Sequence, residues 1–389
     1  MIIYISIYIL VTIVYLNSEI HTEQSSTYSS VILGGLIIGL GVFVAISDML
    51  GGYDRYLYGE MFEHIGFVMR TGGDPYRQSI LFKTYHSEPG FAHFTMLSAF
   101  FFQNRYVFIF IYTIVLYLLL LTSLLKYTNR SPLSVILFMG LWFFFTFTYL
   151  RQAMAAAIVW LSIEYAIKRK PWPFFIIVAL AYSFHNSAII FALVYFLPMK
   201  KIDIPPLIAL FFILLFVGTT GIPDKIFGQF GEVTSTNDRI TAMLEAHDSS
   251  FRVAYLIEAI VFLSLILSKY KDFDPDNKAQ IMMLNLALTF CGTLLFFINS
   301  FNGGRLSWYF MIGLFSTLTY LGTGTRTSIS YSTFLIILCL TLFIRILIVW
   351  NILIYPYKTF FTNGHRDGDF IYEIYEYDKL YDADKFYKW

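Results

Sequence analysis

Apolar residues in this chain come in long unbroken runs, and that arrangement restricts the fold more than any motif does. The runs lie near 2–16, 31–47, 89–103, 106–125, 132–148, 151–167, 173–198, 204–218, 251–267, 279–299, 305–321 and 328–354, with short polar stretches between them. A helix needs about 20 apolar residues to cross the hydrocarbon core, while runs of about 10–14 read as re-entrant or interfacial segments. Hydrophobic residues make up 57% of the chain and charged residues only 14%, with a mean hydropathy of +0.64. Soluble domains carry about 25% charge, so too little polar surface is present here to cover a globule. The implied fold class is all-α: a polytopic integral membrane protein with about 11–13 membrane helices, some of them re-entrant or interfacial.

No internal repeat divides the runs, so residues 1–354 read as a single transmembrane domain followed by an acidic, tyrosine-rich tail at 355–389. The opening MIIYISIYILVTIVYL lacks a positive n-region and a small-residue cleavage site, and reads as a retained first span. Lys and Arg in short loops mark cytoplasmic ends. KRK at 168–170, KK at 200–201, Lys126 with Arg130, and the lysines of 268–278 are such markers. They put 48–88 and 219–250 on the outer face, with the start of the Arg151 helix and the FNGGR turn at 301–305. A helix from Arg151 to Lys168 rises about 25 Å, which sets Arg151 at the outer boundary of the bilayer. A full crossing by 89–103 would put 48–88 inside instead; its run of about 14 residues favours partial insertion, which leaves 48–88 outside. Parity of the basic loops favours a hairpin over 173–198, bending at His185–Asn186–Ser187, above a single tilted helix. GGYDRYLYGEMFEHIGFVMR, residues 51–70, mixes apolar and charged residues at helical spacing and reads as an amphipathic helix on the membrane surface.

Polar residues beside or inside such runs are costly and call for a reason. Arg151 and Gln152 stand before an alanine-rich stretch, Ala153 and Ala155–Ala157, that lets helices approach closely. A buried face beside a cavity competes there with simple snorkelling to lipid phosphates. Arg305 follows two glycines at the start of another run, and is either a second inward-facing cation or a loop arginine. Guanidinium forks match phosphate oxygens, so two of them at one level make a clamp for phosphate or pyrophosphate. His185 in AYSFHNSAII is either a hydrogen-bonded packing residue or a proton carrier or phosphate donor. Asp54 and Glu88 flank the 48–88 stretch and read as solvated carboxylates or as acid–base groups; Glu88 precedes a Pro-Gly turn into the membrane.

Several chemistries find no support. No basic stripe suggests nucleic acid, and Cys291 and Cys339 sit in apolar runs as packing residues. There is no HExxH and no P-loop, and His86 with His93 lacks a zinc ligand set. DFDPDNK at 272–278 fails as a calcium loop, because its sixth and twelfth positions are Asn277 and Met283. Neither a metal nor a cofactor is expected.

GGYDRYLYGEMF, EPGFAHFTMLSAFF, LRQAMAAAI, SFHNSAII and GGRLSWYF occur in this order between about residues 45 and 325. Together they resemble the EpsG family, the exopolysaccharide polymerases related to the Wzy O-antigen and capsule polymerases. The resemblance implies a metal-independent fold like that of the C-type glycosyltransferases. It implies polymerisation of undecaprenyl-diphosphate-linked oligosaccharide repeat units at the outer face of a bacterial inner membrane. The pathway's flippase and chain-length regulator are the expected partners, beside the membrane lipids. It maps the family's polar positions onto Asp54, Tyr58, Glu88, Arg151, Gln152, His185 and Arg305, with Asn186 beside His185; GGYD departs from the more usual Gly-Thr-Asp form. On this reading Arg151 and Arg305 hold the diphosphate, His185 serves a phosphate or proton role, and Glu88 or Asp54 is the base. The rivals are a flippase or transporter of lipid-linked oligosaccharide, which would show inverted repeats, and a ligase that moves finished glycan to another acceptor.

Overall fold

The computed structural model of the chain describes residues 1–20, 26–48, 51–223, 225, 250–300, 303–323 and 328–362. Most of the 219–250 stretch, Phe301 and Asn302 of the glycine turn, and the tail beyond Thr362 therefore lie outside the described residues. What is described is helical, and its one β-type contact is an isolated bridge between Ser47 and Thr359. Five helices are long and apolar enough to cross a membrane: Thr27–Ala45, Arg105–Tyr127, Leu150–Ile167, Lys278–Phe296 and Ser330–Val349. Shorter apolar helices accompany them, and the chain is an all-α, multi-pass membrane protein.

Contacts group the helices into two compact units, where the runs alone suggest one membrane domain. The first unit comprises Met1–Lys126, Arg130–Ala157 and Thr325–Trp389. It contains α1 (Ile2–Ile20), α2 (Ser26–Ala45), α3 (Tyr53–Arg70), α4 (Pro75–Gln78), α5 (Ile80–Thr84), α6 (Pro89–Phe101), α7 (Arg105–Tyr127), α8 (Leu133–Leu141), α9 (Phe145–Thr148) and the start of α10 (Leu150–Trp160). The Ser328–Val349 helix packs along α8, where Gly140 admits the backbone of Cys339; a Cβ on Gly140 would lie 2.8 Å from the Cys339 Cα. Tyr8 donates to the Ile336 carbonyl at 2.8 Å and Tyr4 to that of Ile354 at 2.6 Å, which ties the first helix into this unit. The chain after Tyr355 returns to the end of α2: Asp48 N–H donates to the Lys358 carbonyl at 3.0 Å, and the ring of Tyr357 stacks on Phe43. Residues 355–362 thus pack on the unit, and the acidic, tyrosine-rich stretch that follows lies outside the described residues.

Two expectations about helix length meet the structure here. The apolar run 132–148 is not one helix, because α8 stops at Leu141 and a turn through Trp142–Phe144 leads into the short α9. By contrast α6 has 13 residues, a rise of about 20 Å, and so falls short of a full crossing, as the length of its run suggests. It packs on α3, whose Arg55, Tyr58, Phe62 and Ile65 recur at helical spacing and are all buried. Glu63 of α3 and Arg105 of α7 form an ion pair that joins the amphipathic helix to the bundle.

The second unit comprises Tyr127–Asn129 and Ile158–Gly324. Its centre is the Lys278–Phe296 helix, which packs on the Met311–Gly322 helix; a Cβ on Gly313 would lie 2.3 Å from that of Leu286. The run 173–198 forms a hairpin: α12 (Pro171–Phe184) ends at His185 in extended conformation, and a 3-10 helix, Asn186–Phe196, returns against it. Arg169 closes this hairpin by donating from Nη2 to the Leu197 carbonyl at 2.9 Å.

Candidate functional site

The site grows from the glycine pair ahead of α3. Gly51 and Gly52 both adopt φ 108, in the region open to glycine, and a Cβ on Gly51 would lie 2.7 Å from the backbone of Phe147. This close approach lets Thr148 donate to the Gly51 carbonyl and brings the first turn of α3 onto α9. Arg55 then projects into the unit with no solvent exposure. Its Nε donates to the Phe147 carbonyl at 2.6 Å, and its Nη1 donates to Ser47 Oγ at 2.8 Å and to the Val44 carbonyl at 3.3 Å. Val44 lies in the last turn of α2, whose carbonyls have no partner within their own helix. Burial pulls the Arg55 guanidinium down to about 10, which leaves it charged at neutral pH.

One turn on, Tyr58 is buried and links two charged residues: its hydroxyl donates to Asp54 Oδ2 at 3.2 Å and accepts from Arg151 Nε at 2.9 Å. Burial holds this phenol well above its usual range, so it stays protonated and able to donate. Arg151, at the start of α10, also forms an ion pair through Nη1 with Glu88. Glu88 stands at the entry to α6, where Pro89 takes the first helical position and needs no N–H partner. A tight turn, Glu88 N–H to the Tyr85 carbonyl at 3.0 Å, places Tyr85 on the same guanidinium. Arg151 Cζ lies 4.3 Å from the Tyr85 ring centre and 5.6 Å from those of Tyr58 and Phe91, so three rings cage the cation. Each such contact contributes about 0.5–2 kcal/mol, more where water is excluded.

The structure therefore brings together Asp54, Tyr58, Glu88 and Arg151, from three segments of the first unit. Glu88 is not a solvated surface carboxylate, since it is buried against its cation. Gln152 is buried, as are Ala153 and Ala155–Ala157, so the alanine face is where α10 meets its neighbours. Among the five N–H donors of a guanidinium, one on Nε and one on Nη1 serve Tyr58 and Glu88; the second on Nη1 and both on Nη2 make no hydrogen bond among the described residues. Near the cage, the buried Tyr112 hydroxyl of α7 has no hydrogen-bond partner among the described residues, while its ring packs on Phe91 and Phe94.

His185, Asn186 and Arg305 belong to the second unit. The Ser187 N–H points at His185 Nδ1 from 3.3 Å, and its hydroxyl lies 2.8 Å from the same nitrogen. Ser187 Oγ also lies 2.8 Å from the hydroxyl of the buried Tyr309, whose carbonyl accepts from Trp160 Nε1 at 2.8 Å. Asn186 is buried and opens the returning 3-10 helix. Arg305 is half-buried in the Gly303–Ser307 helix. The room left by its two glycines is filled by protein: a Cβ on Gly303 would lie 2.6 Å from the Phe297 carbonyl oxygen, and one on Gly304 2.9 Å from the Tyr255 hydroxyl. These glycines let Phe297 and Tyr255 pack closely against the helix start.

Arg55, Tyr85, Ser187 and Tyr309 escaped the reading of the sequence. Arg55 carried a usable signal, because it shares the spacing of Tyr58, Phe62 and Ile65 and so had to face inward. The three others are residue types too common in this chain to stand out. Among the described residues no three His, Cys, Asp or Glu side chains gather to hold a metal ion.

The first unit thus buries a caged arginine beside two carboxylates at the start of an apolar helix. Residues 31–359 match the model of the EpsG family, and the chain belongs to that family of polysaccharide polymerases. The match extends beyond the stretch from about 45 to 325 that carries the resemblance in sequence. No curated protein and no solved structure matches the chain.

Proposed function

We propose that the protein joins undecaprenyl-diphosphate-linked oligosaccharide repeat units into a polysaccharide at the outer face of a bacterial inner membrane. The observation that carries this reading is the caged Arg151, a cation fixed by Glu88 and Tyr58 with donors left over, placed by the Lys and Arg distribution at the outer boundary. Both the donor and the acceptor are lipid-linked glycans. An acceptor sugar hydroxyl attacks the anomeric carbon of the donor, the bond from that carbon to the diphosphate oxygen breaks, and the diphosphate leaves with the electron pair. Arg151 stabilises the charge that develops there, at no cost in reorganisation because its position is already set.

The proton of the attacking hydroxyl goes to a carboxylate. Glu88 is buried and committed to Arg151, which makes it a positioning residue. Asp54 is half-buried, receives one hydrogen bond from Tyr58 and keeps its other oxygen, Oδ1, for the proton; we assign it as the base. In the second unit, Arg305 is assigned to phosphate and His185 to a phosphate or proton role.

Reconstitution with purified lipid-linked repeat units tests the reading. A ladder of glycan lengths supports a polymerase; translocation without new bonds points to a flippase, and transfer to a foreign acceptor to a ligase. Asp54→Asn lowers kcat by about 10²–10⁴ with KM little changed, whereas normal chain growth by that variant overturns the assignment of the base.

A further inference from the structure

The first unit holds a cavity that the polymerase reading does not use. About 510 Å³ in volume, it lies where the start of α2 meets the end of α7, and is within the range of small-molecule sites. Thr27 and Ser30 line it from α2, and Thr122 and Lys126 from α7, with Arg130 beyond. Val31 and Leu125 supply its apolar wall. None of these side chains is acidic, so two cations face one space together with three hydroxyl groups. Lys126 and Arg130 are exposed, and Arg130 has φ 59, a conformation rare for a residue with a side chain.

The helix register also fixes the surroundings. Lys126 and Arg130 are cytoplasmic markers in the sequence, whereas the opposite end of α2 lies with the Arg55 clamp. The cavity is thus at the inner leaflet boundary. Val31 and, farther up α7, Leu118 are exposed, which offers acyl chains a path down the helices from the cavity. A diffusible anion would make no use of that path.

We propose that this cavity binds the phosphodiester headgroup of an anionic phospholipid of the inner leaflet, with Lys126 and Arg130 on the phosphate and the α2 and α7 hydroxyls on the glycerol end. Basic pockets between helices on the cytoplasmic side suit such lipids, each cation contributing about fivefold in affinity, the equivalent of about 1 kcal/mol. The inference depends on the membrane location of these helix ends and not on the assignment of the catalytic residues.

The test is native mass spectrometry of the purified full chain in neutral detergent, titrated with dioleoylphosphatidylglycerol, dioleoylphosphatidylcholine or inorganic phosphate. Phosphatidylglycerol is expected to bind in preference to phosphatidylcholine. Lys126→Gln and Arg130→Gln should each weaken it about fivefold and together about 25-fold, while Arg130→Lys should keep most of the affinity. Both glutamine positions are exposed, and an unchanged melting temperature in neutral detergent confirms that the double variant is folded. Phosphatidylglycerol binding that stays within twofold in the double variant overturns the proposal. So does equal occupancy by phosphatidylcholine, or competition by millimolar inorganic phosphate, which would mark a site for free anions.

Discussion

Replacing Glu88 with alanine would leave the Arg151 guanidinium buried without its counter-charge. The side chains of the pair are 14% and 6% exposed, so solvent screening recovers little of the loss. Removing one partner of a buried pair costs about 3–5 kcal/mol. The Tyr58 hydrogen bond and the three-ring cage persist, which places Glu88→Ala near the lower end, at about 3 kcal/mol. Arg151→Ala strands a carboxylate that no ring stabilises, and should fall nearer 5 kcal/mol. Replacing both with methionine removes the charges together and fills the space; such replacements are often neutral, so the double variant should return to within about 1 kcal/mol of the parent. It should still make no polymer, because the fixed cation that stabilises the departing diphosphate is gone. Thermal unfolding in detergent and the reconstituted polymerisation assay measure the two quantities separately. If the double variant is as unstable as the sum of the single ones, the pair is not coupled as described. If it elongates glycan at the parental rate, Arg151 does not act on the leaving group.

Other outcomes follow from the same geometry. Gly51→Ala should lower the melting temperature sharply and impair activity, since it combines φ 108 with a Cβ 2.7 Å from Phe147; thermal unfolding checks it. Tyr112→Phe removes a buried hydroxyl without a protein partner, so stability should hold or rise by about 1 kcal/mol, and a fall in unfolding temperature would count against this account. Tyr85→Leu keeps the volume but opens the cage, and should cost about 0.5–2 kcal/mol; a steeper loss of kcat than of stability would mark Tyr85 as orienting Arg151.

The fold class could be read in the apolar runs because a bilayer imposes a length on whatever crosses it. That α6 stops short of a full crossing was legible in the length of its run, and the hairpin at His185 in the placing of the basic clusters on either side of it. The break between α8 and α9 was not, since Trp142–Phe144 are as apolar as their neighbours and only packing decides where such a helix stops. Within the site, the need for a partner at Arg151 was visible as the cost of a charge beside a span, but its choice of Glu88 lies 63 positions away and is set by tertiary structure. The two glycines before Arg305 were visible in the sequence, but that Tyr255 and Phe297 pack against them is set by tertiary structure.

Arg55 grips main-chain oxygens at positions 44 and 147, while Ser47 Oγ and the Phe147 ring, 5.6 Å from its Cζ, meet it through side chains. Every residue type offers a backbone carbonyl, so a substitution at 44 leaves that hydrogen bond in place as long as the local backbone holds its path, whereas one at 147 keeps the hydrogen bond and loses the ring. The scaffold beneath Asp54 and Tyr58 can therefore change its composition at one end of the grip while holding the same pair of side chains.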